Sequence, residues 1–128
     1  MLAPIGLFVY KRPEHTAQVL EALRNNREAR ESDLFVFSDG AKDPRASDMV
    51  SAVRALSRQL TGFRSVTVVE QSVNLGLARS IVTGVADLTK RFGRVIVLED
   101  DVVPAPYFLQ YMNAALDKYE QAEQVVSI

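Results

Sequence analysis

Val95-Ile96-Val97-Leu98-Glu99-Asp100-Asp101 runs from four apolar residues straight into three acids. A short β-branched run without alternation suits a strand covered on both faces. The abrupt change to carboxylates marks the end of that strand. Similar apolar runs occur at Ile5–Tyr10, Leu34–Ser38, Val66–Glu70 and Val125–Ile128.

Helical patterns separate these runs. The first opens at Pro13, a favoured first helical position, with Glu14 in its first turn and Val19, Leu20 and Leu23 on one face. The second follows Asp43-Pro44, with Ser47 as cap and Met49, Val53, Leu56 and Leu60 as its apolar face. The third carries Leu77, Ile81, Val85, Leu88 and Phe92 and stops at Gly93. The fourth begins near Pro106 and carries Phe108, Tyr111, Met112, Ala115 and Tyr119. The order βαβαβαβαβ predicts an open, mostly parallel, Rossmann-like α/β sheet with helices on both faces. The chain of 128 residues fits one domain, and its ending on a strand-like run predicts a fold continuing past Ile128.

Composition excludes several classes. A net charge of −1 provides no field to draw the chain to nucleic acid or an anionic membrane. Without cysteine there are no disulfides and no thiolate metal sites, which suits a cytoplasmic protein. No apolar run reaches the ~18 residues of a membrane helix, although a longer parent chain could be membrane-associated. Met1–Tyr10 lacks the basic and cleavage regions of a signal peptide.

In open α/β sheets ligands bind beyond the carboxyl ends of the strands. The residues there are Lys11-Arg12, Ser38-Asp39-Gly40-Ala41-Lys42, Gln71 to Gly76, and Asp100-Asp101. Three successive carboxylates repel one another, and a hard divalent cation relieves that repulsion. Asp39-Gly40 also reads as a common turn, and Asn74 as a helix cap. Arg79 lies in the first turns of the third helix, whose N-terminus favours phosphate. Arg12 opposes the dipole of the helix it precedes, so an anionic ligand there would help. His15, the sole histidine, has no nucleophile pattern beside it.

Lys11-Arg12-Pro13, Ser38-Asp39-Gly40, Asn74-Leu75-Gly76-Leu77-Ala78-Arg79 and Val97-Leu98-Glu99-Asp100-Asp101, in this order, resemble GT-A glycosyltransferases. The likeness is to the family 2 enzymes and to the N-acetylglucosaminyltransferase I-like group, with its Glu-Asp-Asp form of the Asp-X-Asp motif. It covers nearly the whole chain and implies the nucleotide-sugar-binding half of the GT-A fold, with a UDP-sugar or similar donor and an unspecified acceptor. It places Asp39 on the base, Arg12 near ribose or phosphates, Arg79 near the nucleotide or its diphosphate, and Glu99 and Asp100 on ribose or donor sugar. Asp101 would hold Mn²⁺ or Mg²⁺ bridging the diphosphate. The catalytic base and acceptor site of such enzymes belong to a later half, so no residue here is assigned as the base.

Other readings compete. A sugar nucleotidyltransferase expects a glycine-rich basic loop after the first strand, where this chain has Lys11-Arg12-Pro13. A phosphoacceptor receiver domain needs its acids after the first and third strands. A dinucleotide-binding domain needs G-x-G-x-x-G after the first strand. A nucleotide-binding fragment without turnover remains as an alternative.

Overall fold

The computed structural model describes residues 1–128. Four parallel strands form one sheet in the order β3-β2-β1-β4: β1 (Ile5–Val9), β2 (Asp33–Ser38), β3 (Ser65–Glu70) and β4 (Ile96–Glu99). The helices are α1 (Pro13–Arg24), α2 (Ser47–Arg58), α3 (Leu77–Phe92) and α4 (Phe108–Tyr119). The order of strands reverses at β1, with β2 on one side and β4 on the other. This is where an open sheet leaves room for a ligand.

Alternation along the strands divides the core between two faces. Ile5, Leu7, Val9, Leu34, Val36, Ile96 and Leu98 pack with Val19 and Leu23 of α1, Val53 of α2 and Leu109 of α4. Phe8, Phe35 and Phe37 face the other way, onto Leu88 of α3. Helices therefore cover both faces, as the sequence predicts. The Phe8 and Phe37 rings stack at 4.9 Å between centroids. A Cβ on Gly84 would lie 2.8 Å from the Phe8 ring, so glycine lets α3 settle onto the rings. Mid-helix glycine costs about 0.5–1 kcal/mol relative to alanine, which the closer packing offsets.

Two buried asparagines anchor α4. Asn26 donates to the Ala22 and Ala105 carbonyls and accepts from the Leu109 amide at 2.9 Å. Asn113 accepts from the Ala3 amide at 2.8 Å. They fix both ends of the segment that leads away from the acidic loop.

Four expectations need correction. Val125–Ile128 forms no strand: it follows a turn, and Val126 is 97% exposed, because no neighbouring strand supplies hydrogen bonds. β3 and β4 are edge strands rather than strands covered on both faces; β3 is nowhere fully buried, and Val97 of β4 is exposed. α2 buries Val50, Val53 and Ser57, while Met49 and Leu56 face water. Ser47 is the first residue of α2 and caps nothing; Asp43 instead caps a short 3₁₀ turn, Pro44–Ala46, accepting from the Arg45 and Ala46 amides. Pro13 starts α1, and Gly93, at φ 83°, ends α3 as its sequence indicates.

Candidate functional site

A cleft of about 500 Å³ opens at the carboxyl edge of β1, β2 and β4, against the start of α3. The buried Phe8 and Phe37 rings line its apolar side. Arg12, Lys11 and Lys42 bring cations to it, and Asp39, Glu99 and Asp100 bring acids. Two independent networks build its walls.

The first joins β1 to β4. Arg12 lies three residues beyond Val9, the last paired position of β1, and reaches Asp100, the residue after β4. Its guanidinium bonds both Asp100 carboxylate oxygens. The Asp100 side chain is 7% exposed, so this is a nearly desolvated acid with one cationic partner. The hydrogen bond from Arg12 to Asp100 raises the arginine pKa, as do the charges of Asp100, Asp101 and Glu99. The Val102 amide donates to the Glu99 carbonyl at 3.2 Å, turning the chain directly after β4. Glu99 lines the cleft without a protein partner, whereas Asp101 is half exposed and lies 3.9 Å from the Arg12 guanidinium.

The second network joins β2 to the loop before α3. Asp39 is 6% exposed, and its carboxylate accepts four hydrogen bonds. Oδ1 accepts from the Gly40 amide at 2.8 Å and the Leu75 amide at 2.8 Å. Oδ2 accepts from the Gly76 amide at 3.0 Å and the Asn74 side chain at 3.1 Å. A carboxylate has about four lone-pair positions, so the protein fills them all. Asn74 therefore braces Asp39 and does not cap the helix; Gly76 occupies the cap position of α3. Gly40 is forced by contact: a Cβ there would lie 2.5 Å from the Val73 carbonyl carbon.

The structure thus brings Arg12, Asp39, Glu99 and Asp100 to one cleft, with Asp101 at the end of the same acidic turn. It leaves Arg79 exposed on α3, off the cleft wall and without a side-chain partner. The α3 amides of residues 77–79 precede the first helical hydrogen bond, from Ser80 to Gly76, and so lack a backbone partner. Two participants escaped the sequence reading. Tyr10 lines the cleft and accepts from the Lys42 amide at 2.9 Å, tying the β1 and β2 exits together. Arg54 of α2 bonds the backbone behind Asp39. No spacing rule reveals either, since both contacts arise only once the strands are paired.

No group of three or more His, Asp or Glu side chains forms a ready cage for a metal ion. Asp100 is engaged by Arg12, which leaves Glu99 without a protein partner and Asp101 with only a long contact to the same guanidinium. That donor set fits a Mg²⁺-type ion held by one or two carboxylates with waters and phosphates completing the shell. It does not fit an all-protein site. No helix is long and apolar enough to cross a membrane.

The sequence profile of glycosyl transferase family 2 matches residues 5–126. Among solved structures the chain is similar to S. aureus TarS, at 15% identity and a TM-score of 0.61, over 94% of this chain and 20% of that one. The chain therefore spans about a fifth of the length of that protein. No curated protein sequence matches it.

Proposed function

This chain belongs to glycosyl transferase family 2, and from that membership we propose that it is the donor-binding part of a glycosyltransferase, taking a UDP-sugar or similar nucleotide-activated donor with Mn²⁺ or Mg²⁺. The observation that carries this reading is the cleft itself. It sits where strand order reverses, with apolar rings on one side and with Arg12, Asp100 and the open N-terminus of α3 at its rim.

In this reading the nucleoside lies against Phe8 and Phe37, and the diphosphate lies toward Arg12 and Asp101. Asp39 faces the base. Because the protein fills its carboxylate, a base N–H reaches it only by replacing the Asn74 amide, the longest of its four bonds. Glu99, free of protein partners, is available to hydroxyls of ribose or donor sugar. Asp100 keeps Arg12 in place until an anion draws the guanidinium off, then contacts the donor beside Glu99. Arg79 takes a nucleotide role only through a change of side-chain rotamer toward the diphosphate.

Asp101 would hold the divalent ion, with Glu99 and Asp100 adding negative potential near it. When bound, such an ion stabilises charge on the departing nucleoside diphosphate. The protein supplies the geometry: Asp39 orders the loop before α3, and Arg12 neutralises the buried Asp100.

Calorimetric titration with UDP, with and without Mn²⁺, tests this reading. Binding should require Mn²⁺ and weaken at least tenfold in Asp101→Ala. UDP binding that ignores both the ion and Asp101 would remove the metal role. Failure to bind any nucleoside diphosphate would remove the reading as a whole.

A further inference from the structure

Arg54 lies on α2, outside the cleft, yet its guanidinium is the most heavily bonded in the protein. Nε donates to the Ser38 hydroxyl at 3.0 Å. Nη2 donates to the Gln71 carbonyl at 2.7 Å, and more weakly to the Asp39 carbonyl at 3.3 Å and the Ser38 carbonyl at 3.4 Å. Nη1 lies 3.7 Å from the Glu70 carboxylate, which balances its charge. The side chain is only 19% exposed.

These acceptors share a location. Ser38 ends β2, Asp39 follows it, and Gln71 follows β3. The Gln71 amide donates to the Ser38 carbonyl at 3.0 Å, so the strands remain joined one step beyond their last regular pair. Arg54 covers that joint and satisfies carbonyls that strand pairing leaves short of donors. From the joint one exit leads to Asp39 and the other to the loop holding Asn74, Leu75 and Gly76. The carboxylate of Asp39 meets those three residues only if both exits leave at the correct spacing. Only arginine has the planar fork of donors that serves several acceptors at once; lysine is a point donor.

We propose that Arg54 is a positioning residue for the nucleotide cleft: it sets the spacing of the β2 and β3 exits so that Asp39 can order the loop before α3. The link to nucleotide binding rests on the function proposed above, whereas the link to loop order does not.

The test compares Arg54→Met, Arg54→Lys and Leu23→Ala in the 128-residue chain. Leu23 is fully buried between α1 and the sheet and does not line the cleft, so its truncation controls for general destabilisation. Hydrogen exchange at the Leu75 and Gly76 amides reads loop order, and UDP titration with Mn²⁺ reads the cleft. Arg54→Met should speed exchange at Leu75 and Gly76 at least tenfold beyond any change at β1 amides, and weaken UDP at least tenfold. Arg54→Lys should fall between it and the wild type on both readouts. Leu23→Ala should speed exchange without singling out those two amides. Exchange at Leu75 and Gly76 that merely follows the rest of the sheet in both Arg54 variants overturns the assignment, whether or not UDP binds. Selective loop loosening with unchanged UDP affinity overturns its link to the cleft. A wild-type chain that binds no UDP fails the nucleotide reading alone, and the exchange data still decide the role of Arg54.

Discussion

Arg12 and Asp100, 88 residues apart in sequence, form the ion pair that closes the β1–β4 side of the cleft. Asp100 is nearly desolvated, while Arg12 remains about half exposed. Removing the arginine therefore strands a carboxylate that water reaches poorly. Arg12→Ala should lower stability by about 1–2 kcal/mol, in the range for a buried polar group left without its partner. Arg12→Met combined with Asp100→Asn should recover most of the loss, because the buried charge is then absent as well. Urea denaturation measures both; equal stability of Arg12→Ala and the wild type would show that Asp100 finds water instead.

Asp101 offers the contrast. It is half exposed, and its only contact with a cation is long. Asp101→Ala should change stability by no more than about 0.5 kcal/mol, yet reduce Mn²⁺-dependent UDP affinity. A large stability loss measured in the same urea series would mean that Asp101 supports the turn.

Asp39 should behave as a structural acid first. Asp39→Ala leaves the Leu75 and Gly76 amides without their acceptor and the Asn74 side chain with only the Gly40 carbonyl, and should cost about 2–3 kcal/mol after partial rescue by water. Asp39→Asn keeps one accepting oxygen and turns the other into a donor facing donors, so an intermediate loss is expected. Denaturation midpoints at a constant m-value would establish the order. If Asp39→Asn matches the wild type, the four-donor arrangement is not what holds the loop.

Gly40 should tolerate no side chain. The Cβ of Gly40→Ala would meet main-chain atoms of Val73 and Asn74 that have no rotamer to change. Overpacking of this kind costs about 1–3 kcal/mol, and the loops must part to admit the methyl group. Gly76→Ala has nothing within 4 Å of its Cβ but a φ of 83° and ψ of 159°, so its penalty should come from the backbone alone, about 1–3 kcal/mol. Thermal melts of the pair, with UDP titration, separate the causes: only Gly40→Ala should distort the cleft.

Acid should weaken the fold through the β3 side. A hydrogen bond from Arg64, helped by Ser65, holds the Asp33 carboxyl below its ordinary range. A hydrogen bond from Arg58 does the same for Glu70. A carboxyl with a lowered folded pKa contributes stability above its unfolded value, near 4, and loses it as pH falls through the folded one. The melting temperature should therefore hold from neutral pH to about 5 and decline below about 4. Asp33→Asn should shallow that decline, and an unchanged acid limb would remove the pair from the account.

Much of this was legible in the sequence, for identifiable reasons. Pro13 and Gly93 punctuate helices through backbone chemistry that needs no tertiary partner, and both hold. Glu99-Asp100-Asp101 falls at a strand end because the apolar run before it has no other use. Reading stops where partners decide. Val125-Val126 is as β-prone as Val68-Val69, but no strand lies beside it. Met49 and Leu56 fit a helical stripe as well as Val50 and Val53 do, and packing selected the latter. The four bonds of Asp39 and the reach of Arg54 carry no periodic signal, since each joins loops brought together by strand pairing.

The strand order 3-2-1-4 also has a consequence for how the chain acquires its shape. The bonds that make the Asp39 wall span 1 to 37 residues, and those from Arg54 span 15 to 17. The Arg12–Asp100 wall spans 88. Closing the longer loop costs only about 0.8 kcal/mol more entropy than closing one of ~35 residues, a minor term at equilibrium. During synthesis the difference is one of time. Residues 1–76 hold everything needed to pair β1, β2 and β3 before Asp100 has left the ribosome. Until β4 arrives, the apolar strand Ile5–Val9 is an uncapped sheet edge, able to template pairing with another chain. The last strand of the sheet therefore covers the longer β1 edge in the same step that delivers its acidic turn, leaving the four-residue β4 as the edge on that side.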